Sequence, residues 1–298
     1  MSIITFWNDD REQSGKTLTS VAVATRMAID RNFKVLLMST SFRDSTMKNC
    51  FFGDEVQRNL KIFGGKSNNI AVENGIEGLS KLVTSKKITP EVITDYTKVV
   101  FKGRLEVLCG YVGAGDKTVD ENYSEYERLE ESYIDLIRNA NLYYDMVVVD
   151  LDKNLKKEVK DEIKRISNLN IFVFSQRLAS VNRYIKLKEE NEEYYEPKFL
   201  PVIGKYDNRS NTYNIKNITK YLGEKKEINV IPYNILYFEA AEENKVADLF
   251  LRLKKNLIKE DRLDDNYLFM QAVEDLVNKI LRKLQELQKK MRWKNVNN

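Results

Sequence analysis

Residues 3–17 read IITFWNDDREQSGKT and carry an apolar segment, a polar loop and a Gly-Lys-Thr motif. The apolar run Ile3–Trp7 predicts a buried β-strand, and the helical spacing of apolar residues from Leu18 to Asp30 predicts a helix. A turn that joins such a strand to such a helix directs backbone N–H groups and the helix N-terminus at an anion. The lysine then reaches the terminal phosphates of a nucleotide, and the hydroxyl ligates Mg²⁺. The expected phosphate contacts are Gln13, Ser14, Gly15, Lys16, Thr17 and Leu18.

The loop itself is unusual for a phosphate-binding turn. The pattern G-x-x-x-x-G-K-[ST] requires glycine at the position of Asp10, and two further acids, Asp9 and Glu12, lie in the same loop. Carboxylates at these positions would repel phosphate. The order of strand, Gly-Lys-Thr and helix nevertheless favours a nucleotide site over a chance match.

The composition excludes several classes of protein. Histidine is absent and there are two cysteines, Cys50 and Cys109, which argues against imidazole-based catalysis, a disulfide framework and most transition-metal sites. Lysine and arginine total 49 against 45 acids, so the overall charge does not by itself demand a nucleic-acid partner. We see neither a signal peptide nor a run of ~20 apolar residues that could span a bilayer, and we expect a cytoplasmic protein.

Apolar runs that alternate with helical segments indicate the fold class. The candidate strands are Ile3–Trp7, Val35–Met38, Leu105–Leu108, Met146–Asp150, Ile171–Phe174, Leu200–Ile203 and Ile228–Ile231. The candidate helices include Ile76–Thr84, Pro90–Val100, Tyr123–Ala140, Lys156–Ile166 and Val181–Asn191. This succession predicts an α/β fold with a mostly parallel, doubly wound P-loop sheet, helices on both faces, and ligands at the carboxyl ends of the strands.

The last part of the chain has a different pattern. Its apolar residues, at steps of three and four, form a heptad seam on a long amphipathic helix: Met270, Val273, Val277, Ile280, Leu284, Leu287 and Met291. We therefore expect a nucleotide-binding domain over residues 1–255 and a C-terminal helical appendage over residues 256–298. The second half of this helix is basic. Either the helix packs on its own domain or on a partner helix, or it binds DNA or an acidic membrane surface, which would make the protein peripheral at the inner membrane.

A second candidate site residue ends the fourth predicted strand. Asp150 follows the apolar run Val147–Val149, and Tyr144-Asp145 precedes that run. A carboxylate at the end of a buried strand near a P-loop is the Walker B arrangement, in which it holds Mg²⁺. The alternative is an ordinary strand-end aspartate at a turn, as Asp152 would be. Its combination with Lys16 and Thr17 favours the functional interpretation.

With these motifs the chain resembles the ParA/MinD family of deviant-Walker P-loop ATPases over most of residues 1–255. The matching segments are the first strand with Ser14–Thr17, Tyr144–Asp150, Ile171–Gln176, Gly204–Tyr206, Val230–Tyr233 and Phe238–Ala241. The opening residues and the segment from Gly75 to Gly110 most resemble the TadZ/CpaE pilus-assembly branch of that family.

The resemblance implies a ligand and further site residues. It implies that the protein binds ATP and Mg²⁺, with Thr17 and Asp150 as the metal ligands. The residues that would flank the adenine are Lys205, Tyr206, Pro232 and Tyr233. Structural roles are equally open for two of them, because Pro232 could be a plain turn proline and Tyr206 a core aromatic residue.

The departures from the family pattern concern catalysis. The family's signature lysine, which reaches the partner's nucleotide in a sandwich dimer, falls on Asp10, and the neighbouring Arg11 could supply the cation instead. Hydroxyl residues at 39–41 stand where the family carries acids, and Asp44 could position the attacking water. The expected catalytic residues are therefore Lys16, Arg11 and Asp44. Loss of a water-positioning group costs ~10²–10⁴-fold in rate, so binding is favoured over fast hydrolysis and any ATPase activity should be slow.

These expectations lead to one function and two alternatives. The first is an ATP-binding switch that forms a homodimer through its nucleotide face and positions a larger assembly, such as a Tad-type pilus or secretion machine. The second is a catalytically degraded scaffold that keeps the fold and uses its C-terminal helix for assembly. The third is a DNA-partition ATPase that uses the basic helix on DNA.

Overall fold

Eight strands form one sheet, because the apolar runs of the sequence pair side by side through their backbones. The computed structural model describes residues 1–9, 13–53, 75–85, 87–113, 118–224, 227–256 and 264–296. The strands are β1 (Ser2–Trp7), β2 (Val35–Ser39), β3 (Lys98–Phe101), β4 (Leu105–Leu108), β5 (Met146–Asp150), β6 (Leu169–Ser175), β7 (Phe199–Tyr206) and β8 (Asn229–Pro232). Their order across the sheet is β3-β4-β2-β5-β1-β6-β7-β8. All neighbouring strands are parallel except β3, which runs antiparallel to β4.

The seven predicted strands are all present, and the eighth corrects a predicted helix. The segment Pro90–Val100 was expected to be helical, but helix there is limited to Ile93–Tyr96, and Lys98–Phe101 forms the edge strand β3. The β-branched pair Val99-Val100 favours an extended backbone. The short connection to β4 then closes a hairpin, with Arg104 N–H donating to Phe101 O.

Helices cover both faces of the sheet, as predicted. They are α1 (Lys16–Asp30), α2 (Thr46–Phe51), α3 (Ile76–Thr84), α4 (Ile93–Tyr96), α5 (Val119–Glu130), α6 (Ser132–Ala140), α7 (Lys157–Ile166), α8 (Leu178–Glu190), α9 (Ile215–Tyr221), α10 (Ile235–Glu242), α11 (Val246–Asn256) and α12 (Asp265–Val296). The expected single helix Tyr123–Ala140 is the pair α5 and α6. Alternate residues of the strands point to opposite faces, so Ile4 and Phe6 enter one core and Ile3 and Trp7 the other.

The C-terminal helix α12 belongs to the first of these two cores. Its buried residues are Phe269, Met270, Val273, Leu276, Val277, Ile280 and Leu284, and it packs against β8 and α1. Ion pairs add to this contact. The carboxylate of Glu274 pairs with Arg26 Nε at 2.9 Å and with Arg31 Nη2 at 2.7 Å. The seam up to Leu284 is therefore used within the chain itself. Among the described residues, no helix combines the length and the apolar character needed to cross a bilayer.

We predict that Ile280→Ala lowers the free energy of unfolding by about 2–5 kcal/mol, because it leaves a cavity in a fully buried position. Leu251→Ala on the surface of α11, where the side chain is 40% exposed, is the matched control and should change it by about 0.5 kcal/mol. Urea titration followed by circular dichroism measures both. The boundary expected at residue 255 stays a prediction, and an unchanged midpoint for Ile280→Ala would show that α12 unfolds separately from the domain.

Candidate functional site

The strand order brings the polar residues that follow β1, β2 and β5 to one point. In the parallel register Phe6 and Ser39 both lie opposite Asp150. The loop after β1, the Ser39–Ser41 segment and Asp150 therefore meet at the carboxyl edge of the sheet, the position at which open α/β sheets bind ligands.

The Gly-Lys-Thr turn has the backbone geometry of an anion-binding loop. Gly15 has φ +80° and stands immediately before α1, a conformation that favours glycine. The neighbouring strand β7 comes so close that a Cβ at Gly204 would lie 2.3 Å from Ser14 O. Ser14 Oγ accepts a hydrogen bond from Asn8 Nδ2 at 2.9 Å. Residues 14–15 are thus fixed in place at the N-terminus of α1, where the helix dipole favours negative charge.

Asp150 is the centre of the site. It is 2% exposed, and Lys16 Nζ lies 2.9 Å from its Oδ1. Thr17 Oγ1 donates to Asp150 Oδ2 at 2.8 Å, and Lys16 Nζ also donates to Leu151 O at 2.5 Å. The predicted metal ligands Thr17 and Asp150 are therefore in contact with each other.

These ligands fit the chemistry of Mg²⁺. A carboxylate and a hydroxyl are hard oxygen donors, and Mg²⁺ is usually held by one or two such groups together with phosphate oxygens and water. Within the described part of the chain, no three or more His, Cys, Asp or Glu residues converge to hold a metal without such help. The residues are thus suited to a cation that arrives with a nucleotide.

Thr40, directly after β2, is hydrogen-bonded both to Asp150 and to the segment that follows Asp150. The sequence did not reveal this role. Thr40 N–H donates to Asp150 O at 3.1 Å, and Thr40 Oγ1 accepts from Asp152 N–H at 2.8 Å. Tyr126 on α5 donates from its hydroxyl to Thr40 O at 2.7 Å. Burial raises the pKa of the Tyr126 hydroxyl, which keeps this donor protonated at neutral pH. One hydroxyl therefore connects the loops after β2 and β5.

The hydroxyls of Ser39 and Ser41 are directed at one another. Ser39 Oγ donates to Ser41 Oγ at 2.8 Å, and both residues are buried. Asp44, the predicted water-positioning residue, accepts a hydrogen bond from Thr46 N–H at 2.9 Å at the start of α2. Asp44 also lines the cleft described next.

A cleft of about 390 Å³ opens over these groups, within the range of small-molecule sites. It is lined by the predicted residues Gln13, Ser14, Gly15, Lys16, Thr17, Leu18, Asp44, Asp150 and Lys205. The other lining residues are Asn8, Ser41, Phe42, Thr46, Asp152, Lys153, Asn154, Phe238 and Glu242. The described lining has four acids, Asp44, Asp150, Asp152 and Glu242, and three lysines, Lys16, Lys153 and Lys205, so its side chains alone do not provide an excess of positive charge.

A narrow pocket adjoins the cleft on the β7–β8 side. Its lining includes Gly15, Lys205, Pro232, Tyr233 and Phe238. The aliphatic part of the lysine lies against Gly15, since a Cβ there would be 2.8 Å from Lys205 Cγ. Three of the four predicted adenine-flanking residues are therefore brought together beside the loop.

Tyr206, the fourth of those residues, lies elsewhere. Its side chain is buried in the second core, and its hydroxyl accepts a hydrogen bond from Ile215 N–H at 3.0 Å. Lys205 has φ +50°, and the register between β7 and β8 shifts between Ile203 and Tyr206. The regular alternation of side chains is interrupted there, and Tyr206 enters the second core together with Ile203. The structure thus places Tyr206 as a core aromatic residue.

The acidic part of the loop is only partly described. Asp10, Arg11 and Glu12 lie outside the described residues, and with them the predicted catalytic role of Arg11. Asp9 is described, and its carboxylate pairs with Arg183 Nη2 on α8 at 2.8 Å. This pair neutralises one of the three carboxylates that the sequence places in the loop.

Comparison with known proteins gives matches among solved structures alone. No family profile and no curated protein sequence matches the chain. A ParA family ATPase from Chlorobium tepidum superposes with a TM-score of 0.65 at 14% identity, over 93% of this chain and 98% of that one. MinD in the MinC:MinD complex of Aquifex aeolicus gives 0.57 at 13% identity, over 94% and 96%.

A third match contains a nucleotide. The septum site-determining protein MinD of Pyrococcus horikoshii, solved with Mg-ADP, gives a TM-score of 0.56 at 15% identity, over 92% of this chain and 95% of that one. At these identities the likeness concerns the fold. The fold predicted from the family resemblance is confirmed: the chain has the architecture of the ParA/MinD ATPases.

Proposed function

We propose that the chain binds ATP with Mg²⁺ in the cleft over Asp150 and acts as a slow, nucleotide-dependent switch. The observation that carries this proposal is the contact of Lys16 and Thr17 with one buried carboxylate at the N-terminus of α1. This set of residues supplies the three elements that phosphate binding requires, a cation, a metal ligand and free amides at a helix start.

Binding would exchange the partners of Lys16. The ammonium now contacts Asp150 and Leu151 O, and a triphosphate would draw it towards the phosphates. Asp150 and Thr17 would then hold Mg²⁺, which offsets phosphate charge in a cleft whose described lining is slightly acidic. We therefore expect nucleotide affinity to depend strongly on Mg²⁺.

The switch would act through Thr40 and Asp152. Both residues are joined by a hydrogen bond at 2.8 Å, and Asp152 Oδ2 also accepts from Phe42 N–H at 3.3 Å. A change at Asp150 is thereby passed to the loops after β2 and β5, which line the nucleotide face. Hydrolysis would be slow, because the hydroxyls of Ser39 and Ser41 are hydrogen-bonded to each other. Asp44 is then the candidate group for orienting the attacking water.

We further propose that the nucleotide face forms the homodimer and that the switch positions a larger assembly, with a Tad-type pilus or secretion machine as the example suggested by the sequence resemblance. The scaffold alternative has one supporting observation. Lys16 Nζ lies 2.9 Å from Asp150 Oδ1, so the charge of the buried carboxylate is compensated within the chain.

We predict that Lys16→Ala weakens binding of a fluorescent ATP analogue about 10- to 100-fold in the presence of Mg²⁺, because it removes charge-assisted contacts to phosphate worth about 1.5–3 kcal/mol. Lys216→Ala, an exposed lysine on α9, is the matched control and should bind like the original chain. Fluorescence titration with and without Mg²⁺ measures both. Equal affinities for Lys16→Ala and the control would contradict the proposal, and absence of binding by the unaltered chain would favour the scaffold.

A second prediction concerns the ion pair between Asp9 and Arg183. Arg183→Ala should weaken ATP binding about two- to fivefold, since the pair is half-exposed and worth about 0.2–1 kcal/mol. The freed carboxylate is the expected cause, so adding Asp9→Asn to Arg183→Ala should restore the affinity. The same titration measures this double-mutant cycle. If the double variant binds as weakly as Arg183→Ala, Arg183 acts in some other way.

A further inference from the structure

The surface of α5 carries an exposed apolar patch. Val112, Val119 and Tyr123 are 47%, 59% and 45% exposed and form what we call the α5 patch. Val119 and Tyr123 are one helical turn apart on the same face. Gly113 packs against Asn122 of α5, where an added Cβ would lie 2.6 Å from Oδ1, and this holds the neighbouring Val112 beside the helix. The patch is preformed, because the Tyr123 ring packs edge-on against Phe42 at 5.5 Å.

Acidic residues surround the α5 patch. Between residues 119 and 131 the chain has six acids and one cation, Arg128. One of the six, Glu130, is buried beside Lys156, and the other five remain for the surface. Asp120 and Glu121 are exposed, and Glu127 is half-buried. The surface therefore combines apolar contacts with a negative rim, which suits a cationic amphipathic helix.

The chain itself contains such a helix. The buried seam of α12 stops at Leu284, and residues 285–290 are exposed except for the half-buried Leu287. Residues 285–296 read QELQKKMRWKNV, with four cations against one acid, and they continue α12 to its end. Leu287 and Met291 are one turn apart, the same spacing as Val119 and Tyr123. We call residues 285–296 the α12 end.

The α12 end and the α5 patch of one chain lie on different sides of the sheet. The α12 residues Val277 and Ile280 are buried in the first core, with β8 and α1. The α5 residues Tyr126 and Leu129 are buried in the second core, on the opposite face. The sheet separates the two surfaces, so a contact between them requires two copies of the chain.

We propose that the α12 end of one copy docks on the α5 patch of a second copy. Leu287 provides the apolar contact, and Lys289 and Lys290 face the acids around the patch. The contact joins two different surfaces. Two copies either exchange both contacts in a two-fold dimer, or they join head to tail and continue into a ring or a chain of copies. A twelve-residue helix buries less than the ~1,200 Å² of a standard interface, and the association is accordingly weak and sensitive to salt.

Sedimentation velocity of the full chain without nucleotide tests the proposal. The patch variant Tyr123→Lys/Glu127→Lys and the end variant Lys289→Glu/Lys290→Glu should each sediment as monomers. A 1:1 mixture of the two should recover a heterodimer, because one intact patch then meets one intact end. Lys216→Glu/Lys220→Glu on α9 is the matched control for charge reversal and should self-associate like the unaltered chain. If the patch variant does not fold by circular dichroism, Val119→Lys replaces it.

Three results would contradict the contact: an unaltered chain that is monomeric at low salt, variants that associate as it does, or a mixture that stays monomeric. The test is independent of the nucleotide site. Association that needs ATP and Mg²⁺ and persists in both variants would support the nucleotide-face dimer and overturn this proposal. The end variant could also self-associate like the unaltered chain but lose binding to anionic lipid vesicles or to duplex DNA. That result would assign the α12 end to the lipid or the DNA and would overturn the proposed contact.

Discussion

The site depends on one buried carboxylate. Asp150 is 2% exposed, and a charge at that position is tolerated because Lys16 Nζ lies 2.9 Å away and Thr17 donates a hydrogen bond at 2.8 Å. Removal of Lys16 would leave the buried carboxylate without a compensating charge, which is costly in a protein interior. The arrangement therefore fixes the start of α1 against the end of β5. It also leaves the two oxygens that we propose as metal ligands next to the lysine that would meet phosphate.

The surroundings explain how a loop so rich in acids could still hold a nucleotide. Asp9 is paired with Arg183. Because Gly204 has no side chain, β7 packs closely against the backbone of Ser14. Thr40 ties the segments after β2 and β5 together and is itself held by Tyr126. These contacts form a connected network from the nucleotide cleft to α5, so a change of charge at Asp150 would have a physical route to the protein surface.

The sequence predicted the sheet well because buried parallel strands read as continuous apolar runs, as in Met146–Asp150. It failed at β3, where the apolar run is only three residues long, Val99–Phe101, and overlaps a longer predicted helix. Lys16, Thr17 and Asp150 were identified because their motifs are local. The role of Thr40 could not be predicted, since it depends on the register between β2 and β5. The position of Tyr206 depends on the break in strand alternation at Lys205, where φ is positive and the register with β8 shifts, and a motif match does not show such a break.

The most direct test of the central claim is a crystal structure of the chain with a non-hydrolysable ATP analogue and Mg²⁺. The account predicts a triphosphate against the amides of residues 13–18, with Lys16 Nζ on the phosphates and with Thr17 and Asp150 on the cation. A structure at saturating analogue in which Lys16 still pairs with Asp150, and no phosphate lies against Gly15, would contradict it.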